Sequence, residues 1–203
     1  MTKIILLRHG LSVYNKADIF SGQGNPPLDE IGIAQAELAG KFIIENFPPD
    51  IIYASELYRT HQTANPVAKA LGLKINVEKA FNELNIGPCD GMYREDVRKT
   101  YPGLLEKYKE DPDECTFPNG ESYSDLRKRA MPALMKIVEE NAGKTVLIST
   151  HGGVIRCLSC KLKGLKYSEL TMLHNASVTV INFDNDKIDF ELLDYNDYLN
   201  EKE

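Results

Sequence analysis

The 203-residue chain has no tryptophan, only four cysteines, no apolar run long enough to cross a bilayer, and no surplus of basic charge. Each lack excludes something. Without a run of about 18 or more apolar residues, no membrane-spanning helix is expected. The first apolar run breaks at Arg8, too early for the h-region of a signal peptide, so no leader is expected either. Lys and Arg number 24 against 30 Asp and Glu, a net charge of −6, so nucleic acid and anionic membrane surfaces are not expected partners. Any anion site must be a local basic pocket in an acidic protein. Cys89, Cys115, Cys157 and Cys160 are too few and too scattered for a disulfide framework. Cys157-x-x-Cys160 falls in an expected helix with no second Cys or His pair at metal spacing, so it reads as two half-buried thiols. A reduced, cytoplasmic protein is expected.

What is present is an alternation of short apolar runs and amphipathic stretches. Ile4 to Leu7 read as a strand buried on both faces, ending in Arg8-His9-Gly10. Residues 11–27 read as a long polar loop with one helical turn. A helix follows to about residue 46, capped by Asp29, with a stripe of Ala34, Leu38, Ala39, Phe42 and Ile43. Strands are expected at 51–54, 75–77 and 145–149, and helices after Ser55, after a capping box at Ser122, and through Cys157. Residues 178–183 and 188–192 form an expected antiparallel hairpin at one edge, which could pair across a homodimer. The tail from Asp194 is expected to fray. This order predicts an α/β fold: a three-layer α/β/α sandwich on a mostly parallel sheet with an antiparallel edge strand. One domain over residues 1–203 is expected, with residues 92–120 a helical insertion over one end of the sheet, too small for a core of its own.

Three strands end in chemically capable residues: Arg8-His9-Gly10, the stretch from Ser55 to Arg59, and Thr150-His151-Gly152. In a parallel sheet their carboxyl ends share one side, where ligands of open α/β sheets bind. Two arginines and two histidines meeting there call for an anion, with Gly10, Gly152 and helix N-termini adding backbone N–H groups. Arginine forks match phosphate oxygens, so phosphate is the first candidate.

The residues then resemble a known family. Arg8-His9-Gly10 with Asn15, Phe20-Ser21-Gly22, and Pro27-Leu28-Asp29-Glu30 resemble the opening of the histidine phosphatase superfamily, the phosphoglycerate mutase-like proteins. Ser55-x-Leu57-x-Arg59-Thr60, the block around Glu83, and Thr150-His151-Gly152 resemble its later blocks, in the same order. The resemblance implies that His9 is a nucleophile forming a phosphohistidine. It implies that Arg8, Arg59 and His151 stabilise the transferring group, and that Glu83 is the proton donor and acceptor. Asn15, Ser21, Gly22, Gln23 and Gly152 would bind the phosphate or the leaving group. No metal or other cofactor is implied. A small phosphorylated metabolite would be the substrate.

Cys89-Asp90-Gly91 stands where many phosphatase-like members have an aromatic residue and a glutamate. No adjacent arginine pair occurs in residues 92–120, which favours the phosphatase branch, similar to broad-specificity and α-ribazole-phosphate phosphatases. The expected activity is metal-independent phosphomonoester hydrolysis. The rivals are a 2,3-bisphosphoglycerate-dependent phosphoglycerate mutase and a non-catalytic phospho-ligand binder. His61 reads as a surface or packing residue. His174 reads two ways, as loop structure or pocket rim. Tyr93, Tyr101 and Tyr108 read as packing residues.

Overall fold

Ile4, Ile5, Leu6 and Leu7 have no solvent exposure, and they form the centre of strand β1 (Thr2–Arg8) in the middle of a six-stranded sheet. The computed structural model describes residues 1–185 and 187–200. The sheet order is β3 (Ile75–Val77), β2 (Ile51–Ala54), β4 (Thr145–Thr150), β1, β5 (Val178–Asp184) and β6 (Lys187–Tyr195). β3, β2, β4 and β1 pair in parallel. β5 alone opposes them, lying antiparallel between β1 and the edge strand β6, as the expected hairpin requires.

Side chains alternate across β1 and β4 and so feed two cores. Ile4, Leu6, Val146 and Ile148 face α6 (Tyr123–Glu140) and α7 (Gly152–Lys163). Ile5, Leu7 and Leu147 face α2 (Glu30–Asn46) and α3 (Tyr58–Leu71). This is the expected three-layer α/β/α sandwich. Truncating one of these fully buried leucines to alanine would cost about 2–5 kcal/mol, a large fraction of a domain's net stability.

Asp29 caps α2 through its Oδ1, which accepts from the Gly32 N–H at 2.7 Å. The buried face of that helix is Gly32, Ala36, Ala39, Gly40 and Ile43, and Ala34 is exposed. The stripe is therefore rotated from the expected one. A Cβ on Gly40 would sit 2.8 Å from Pro66 of α3, so the small residues turn inward where the two helices approach most closely. Ser122 and Asp125 form the expected capping box on α6. The long first loop holds one short helix, α1 (Val13–Lys16).

The expected fraying from Asp194 is overturned for the described residues. Asp194 and Tyr195 belong to β6, and Tyr198 is buried, its ring stacked on Phe42 at 4.7 Å and its hydroxyl donating to the Ala176 carbonyl. Burial of an aromatic ring outweighs the polarity around it. Residues 201–203 lie outside the described residues.

The expected insertion carries α4 (Arg94–Thr100) and α5 (Leu104–Glu110). Val97 and Phe117 anchor it in the core on the α6 side, and the Gly91 N–H donates to the Phe20 carbonyl at 2.9 Å. It thereby lies against the loop that follows α1. No described helix is long and apolar enough to cross a membrane.

Candidate active site

Strand register sets the site. Arg8 pairs with Thr150 and Ala54 with Ser149, so β1, β4 and β2 end side by side. The residues after them, His9, His151 and Ser55, emerge together. His9 and His151 are both buried, with ring centroids 5.3 Å apart and planes at 62°.

His9 Nδ1 lies 2.7 Å from the Gly10 carbonyl oxygen, which can only accept. The proton is therefore on Nδ1, and Nε2 carries a lone pair. Burial first, then the charges of Arg59 and Arg8, push the imidazole pKa well below its usual value, so His9 is neutral at physiological pH. A neutral ring with a fixed tautomer and a free Nε2 is what a nitrogen nucleophile needs.

Two arginines flank it. Arg59 is fully buried on the first turn of α3; its Nη1 and Nη2 donate to the carbonyls of Gly24 and Gly22, each at 2.8 Å. Burial lowers its pKa to about 10, with Glu83 and Asp90 opposing, so it stays charged. Arg8 donates through Nη1 to the Leu173 carbonyl. Among the described residues the Nε groups of both arginines are buried without a partner, as are His151 Nδ1 and, on the loop after α1, Ser21 Oγ. Three such unmet groups on the neighbours of His9 are costly unless something bonds them, and a tetrahedral oxyanion offers several acceptors.

His151 caps α7 by position, and its Nε2 lies 2.8 Å from Ser55 Oγ, which itself accepts from the Leu57 N–H at 3.2 Å. Burial, then Arg59, His9 and Arg8, push its pKa far down as well. Ser55 Oγ also lies 3.0 Å from Thr60 Oγ1, so the serine can either give its proton to Nε2 or take one from it, and Nδ1 is the His151 nitrogen left without a partner among the described residues.

Glu83 enters from the loop after β3. Its Oε1 accepts from the Leu84 N–H at 2.9 Å and its Oε2 from the Gly153 N–H at 3.1 Å. A Cβ on Gly153 would fall 2.3 Å from Oε1, and one on Gly152 would fall 3.1 Å from Arg8 Nε. A side chain at Gly153 would thus have to push the Glu83 carboxylate aside, and one at Gly152 would crowd the Arg8 guanidinium. Tyr123 hydroxyl lies 3.1 Å from the same missing Cβ of Gly153 and 3.0 Å from Tyr108 hydroxyl, so two phenols stand beside the carboxylate.

The remaining expected residues divide. Asn15 Oδ1 is engaged by Ser12 and by Asn175 Nδ2. Gln23 Nε2 donates to the Glu83 carbonyl at 3.1 Å. Gly22 belongs to a loop whose Gly22 and Gly24 N–H groups donate to Asp90. Gly10 does not offer its N–H to the site; it donates to Thr63 Oγ1 at 3.1 Å. Nor is the Gly153 N–H at the start of α7 open, since Glu83 takes it. His61 bonds the Ser55 carbonyl at 2.8 Å, a loop-holding role. His174 pairs with Asp194 at 2.7 Å and is 65% exposed, which places it in loop structure. Tyr93 is exposed, whereas Tyr101 and Tyr108 are half-buried and pack against the core as expected, Tyr108 on Phe117 and Tyr123. All four cysteines are free and buried, and burial pushes the Cys157 thiol up to about 12.

Several residues received no role from sequence. Ser55 opens a helix and one of the family-like blocks, and Asp90 is a departure from the family pattern, but neither carries a role in the sequence. Asn175 donates to the carbonyls of His9 and Gly10 at 3.1 and 3.3 Å and so holds the exit of β1. Arg129 holds the loop of Glu83. The signal for Asp90 was its position before Gly91; nothing marked Asn175 or Arg129.

Residues 4–197 match the model of the histidine phosphatase superfamily, branch 1. The chain belongs to that family. Phosphoserine phosphatase 1 of Hydrogenobacter thermophilus is 31% identical over 186 residues, covering 91% of this chain and 88% of that protein. A metal-independent phosphoserine phosphatase of Arabidopsis thaliana is 30% identical over 189 residues, covering 92% and 79%. Among solved structures, YhfR of Bacillus stearothermophilus superposes with a TM-score of 0.92 at 26% identity, covering 98% of this chain and all of that one. Probable and named phosphoglycerate mutases also match at similar identity. This member of the histidine phosphatase superfamily is a phosphoric monoester hydrolase, in accord with the expected branch.

Proposed function

We propose that the chain hydrolyses small phosphomonoesters without a metal ion, through a phosphohistidine on His9. The observation that carries this reading is the neutral His9 with Nδ1–H held by Gly10 and Nε2 open, set between two arginines and a second histidine.

The steps balance as follows. Nε2 of His9 attacks phosphorus with its lone pair while the bond from phosphorus to the leaving oxygen breaks. Arg8, Arg59 and the Nδ1–H of His151 hold the negative charge on the non-bridging oxygens, replacing the cation other phosphoryl-transfer enzymes use. Glu83, protonated at this stage, gives its proton to the leaving oxygen, and the alcohol departs. The Gly10 carbonyl continues to accept from Nδ1–H and stabilises the charged phosphoimidazole. Water then attacks phosphorus and loses a proton to Glu83, the N–P bond returns its electrons to Nε2, and phosphate leaves. Asn15, Ser21, Gly22, Gln23 and Gly152 line this pocket in the reading, Ser21 through its open hydroxyl and the others through the loops they hold.

The leaving alcohol would lie on the Glu83 side, walled by Tyr108 and Tyr123. Phosphoserine or a similar three-carbon phosphate fits the relatives' names and that small polar wall. Arg94, Arg98, Lys99, Lys107 and Lys109 are all exposed, and Arg94 and Lys99 are paired with Asp18 and Glu95. The insertion thus presents no buried basic grip for a phosphoglycerate carboxylate, which favours hydrolysis over mutase action. One domain with the insertion as its cap, a cytoplasmic setting that suits four free buried thiols, and a homodimer through the β6 edge complete the reading.

The deciding experiment is phosphomonoester hydrolysis in EDTA with acid quench. Acid-labile phosphate on the wild-type protein and none on His9→Ala is the expected result. Activity that EDTA abolishes, or a fully active His9→Ala protein, would overturn it.

A further inference from the structure

We infer that Arg129, paired with Glu121, is a positioning residue for proton transfer: it locks the backbone that carries Glu83, and so sets activity on esters whose leaving group needs a proton. This rests on the reading of Glu83 as the general acid.

Glu83 sits on an irregular loop, unlike His9 and His151, which extend directly from strands. Among the described residues its carboxylate hydrogen-bonds only to the N–H groups of Leu84 and of Gly153 on α7, with no side chain holding it, so its place depends on where the loop lies against that helix. Arg129, on α6, donates through Nη1 to the carbonyls of Ala80 and Asn82, both at 2.8 Å. Its Nη2 donates to the carbonyl of Glu83 itself at 2.9 Å and to Glu121 Oε2 at 2.8 Å, and its Nε donates to Glu121 Oε1 at 2.9 Å. Three carbonyls of one short loop and a bidentate carboxylate thus share one planar fork.

Glu121 closes the arrangement. Its Oε2 also accepts from the Asn85 N–H at 2.9 Å, and its own N–H donates to the Asn85 carbonyl at 2.7 Å. A Cβ on Gly120 would lie 2.3 Å from that carbonyl oxygen, and one on Gly87 would lie 2.0 Å from the Pro118 carbonyl oxygen. The end of the insertion and the Glu83 loop are therefore pressed backbone to backbone, with Arg129 and Glu121 as the clasp.

An exposed pair of this kind would contribute little. Here the side chains are 23% and 21% exposed, and the guanidinium meets three backbone carbonyls, sharing only that of Glu83 with another side-chain donor, Gln23, among the described residues. A lysine has one ammonium and no fork, so it cannot reach the same set. Arg129 makes no hydrogen bond to Arg8, His9, Arg59 or His151 among the described residues. Its links to the phosphate side are indirect, through the Gln23 amide that shares the Glu83 carbonyl and through its charge, the smallest of the influences on His151. Loosening Arg129 displaces the acid first, and proton transfer is sensitive to displacements of about 1 Å.

The test compares two leaving groups. p-Nitrophenolate departs without a proton, whereas the alkoxide of glycerol 2-phosphate requires one. Both are read in kcat/KM, which reports phosphoryl transfer to His9 and not the later attack by water that Glu83 also serves. Arg129→Met should lose roughly 10²-fold in kcat/KM on glycerol 2-phosphate and less than about fivefold on p-nitrophenyl phosphate. Arg129→Lys should stay closer to Arg129→Met than to wild type. Glu83→Gln should show the same leaving-group dependence, and adding Arg129→Met to it should cost little more, because both changes act on one step. Retained turnover of the aryl ester certifies the fold of each variant. If Arg129→Met is insoluble, Glu121→Gln, which keeps the shape of the side chain, must show the same selective loss. Equal losses on both esters, or none, overturn the inference while Glu83 keeps its role. A Glu83→Gln protein with no leaving-group dependence overturns the general-acid reading, and this inference with it.

Discussion

The two sides of the pocket, assigned in our proposal to the phosphate and to the leaving group, are built on different principles. On the phosphate side, Arg8, His9 and His151 occupy or directly follow neighbouring strand ends, and Arg59 lies on the first turn of the helix after a third. Their places follow from sheet register and from burial among neighbours with no exposure. On the leaving-group side, Glu83, Tyr108 and Tyr123 come from a loop, α5 and the start of α6; the Glu83 loop is held by Arg129, Glu121 and glycine contacts, and the two tyrosines by each other. The contrast assigns rigidity to the part that must match every phosphate, and adjustable chain segments to the part that meets different alcohols.

The largest expected effect breaks the phosphate side. His9→Ala should lower turnover of p-nitrophenyl phosphate by on the order of 10⁴-fold and abolish trapped phosphate, since no second group can take the nucleophile's place. Next, Arg59→Met should lose roughly 10²–10³-fold in kcat/KM and bind inorganic phosphate more weakly by calorimetry. If phosphate binding were unchanged, the assignment of the buried fork to the anion would fail.

Acid sharpens the same comparison. His9 and His151 have folded-state pKa values pushed below the unfolded value of 6.5, so below that pH the unfolded chain binds more protons than the folded one. Their stability contribution is complete above about pH 6.5 and is lost as pH falls from there towards the folded values. The slope is up to about 1.4 kcal/mol per pH unit for each histidine. Thermal midpoints followed from pH 7 to 5 should fall more steeply for wild type than for His151→Gln. Parallel curves would show that the buried histidines do not govern acid stability.

The smallest effect lies on the leaving-group side. Tyr123→Phe removes a hydroxyl bonded to Tyr108, at a cost of about 1 kcal/mol in stability. It should change the ranking of phosphorylated substrates by at most about tenfold, seen in kcat/KM across a panel, while leaving the aryl ester nearly unaffected. A uniform loss on every substrate would place Tyr123 with the phosphate machinery instead.

The phosphate side was legible because its residues stand next to strong local signals. An apolar run that stops at Arg8-His9-Gly10 declares both a buried strand and what it carries at its end. The leaving-group side was not. Asn175 and Arg129 act by donating to backbone carbonyls, and every residue has a carbonyl, so no pattern in the chain marks their partners. Asp90 was visible only as a residue out of place, and its partners, the N–H groups of Gly22 and Gly24, are distant in sequence. Tyr198 misled in the opposite direction: polar neighbours suggested a frayed end, but a surface for its ring existed on Phe42.

The sequence by itself determined the layer order, the parallel block of strands and the identity of the charged groups at their ends. Those depend on periodicity and on short blocks of adjacent residues, which the chain displays directly. The tertiary structure alone decided which polar atoms are already satisfied and which are left open. It put the Gly10 N–H on Thr63, the two Nη of Arg59 on loop carbonyls and the Glu83 backbone under Arg129, while leaving His9 Nε2 and His151 Nδ1 without partners among the described residues. Hydrogen-bond satisfaction is a property of packed surfaces meeting in three dimensions, and reactivity in this pocket is what that satisfaction leaves over.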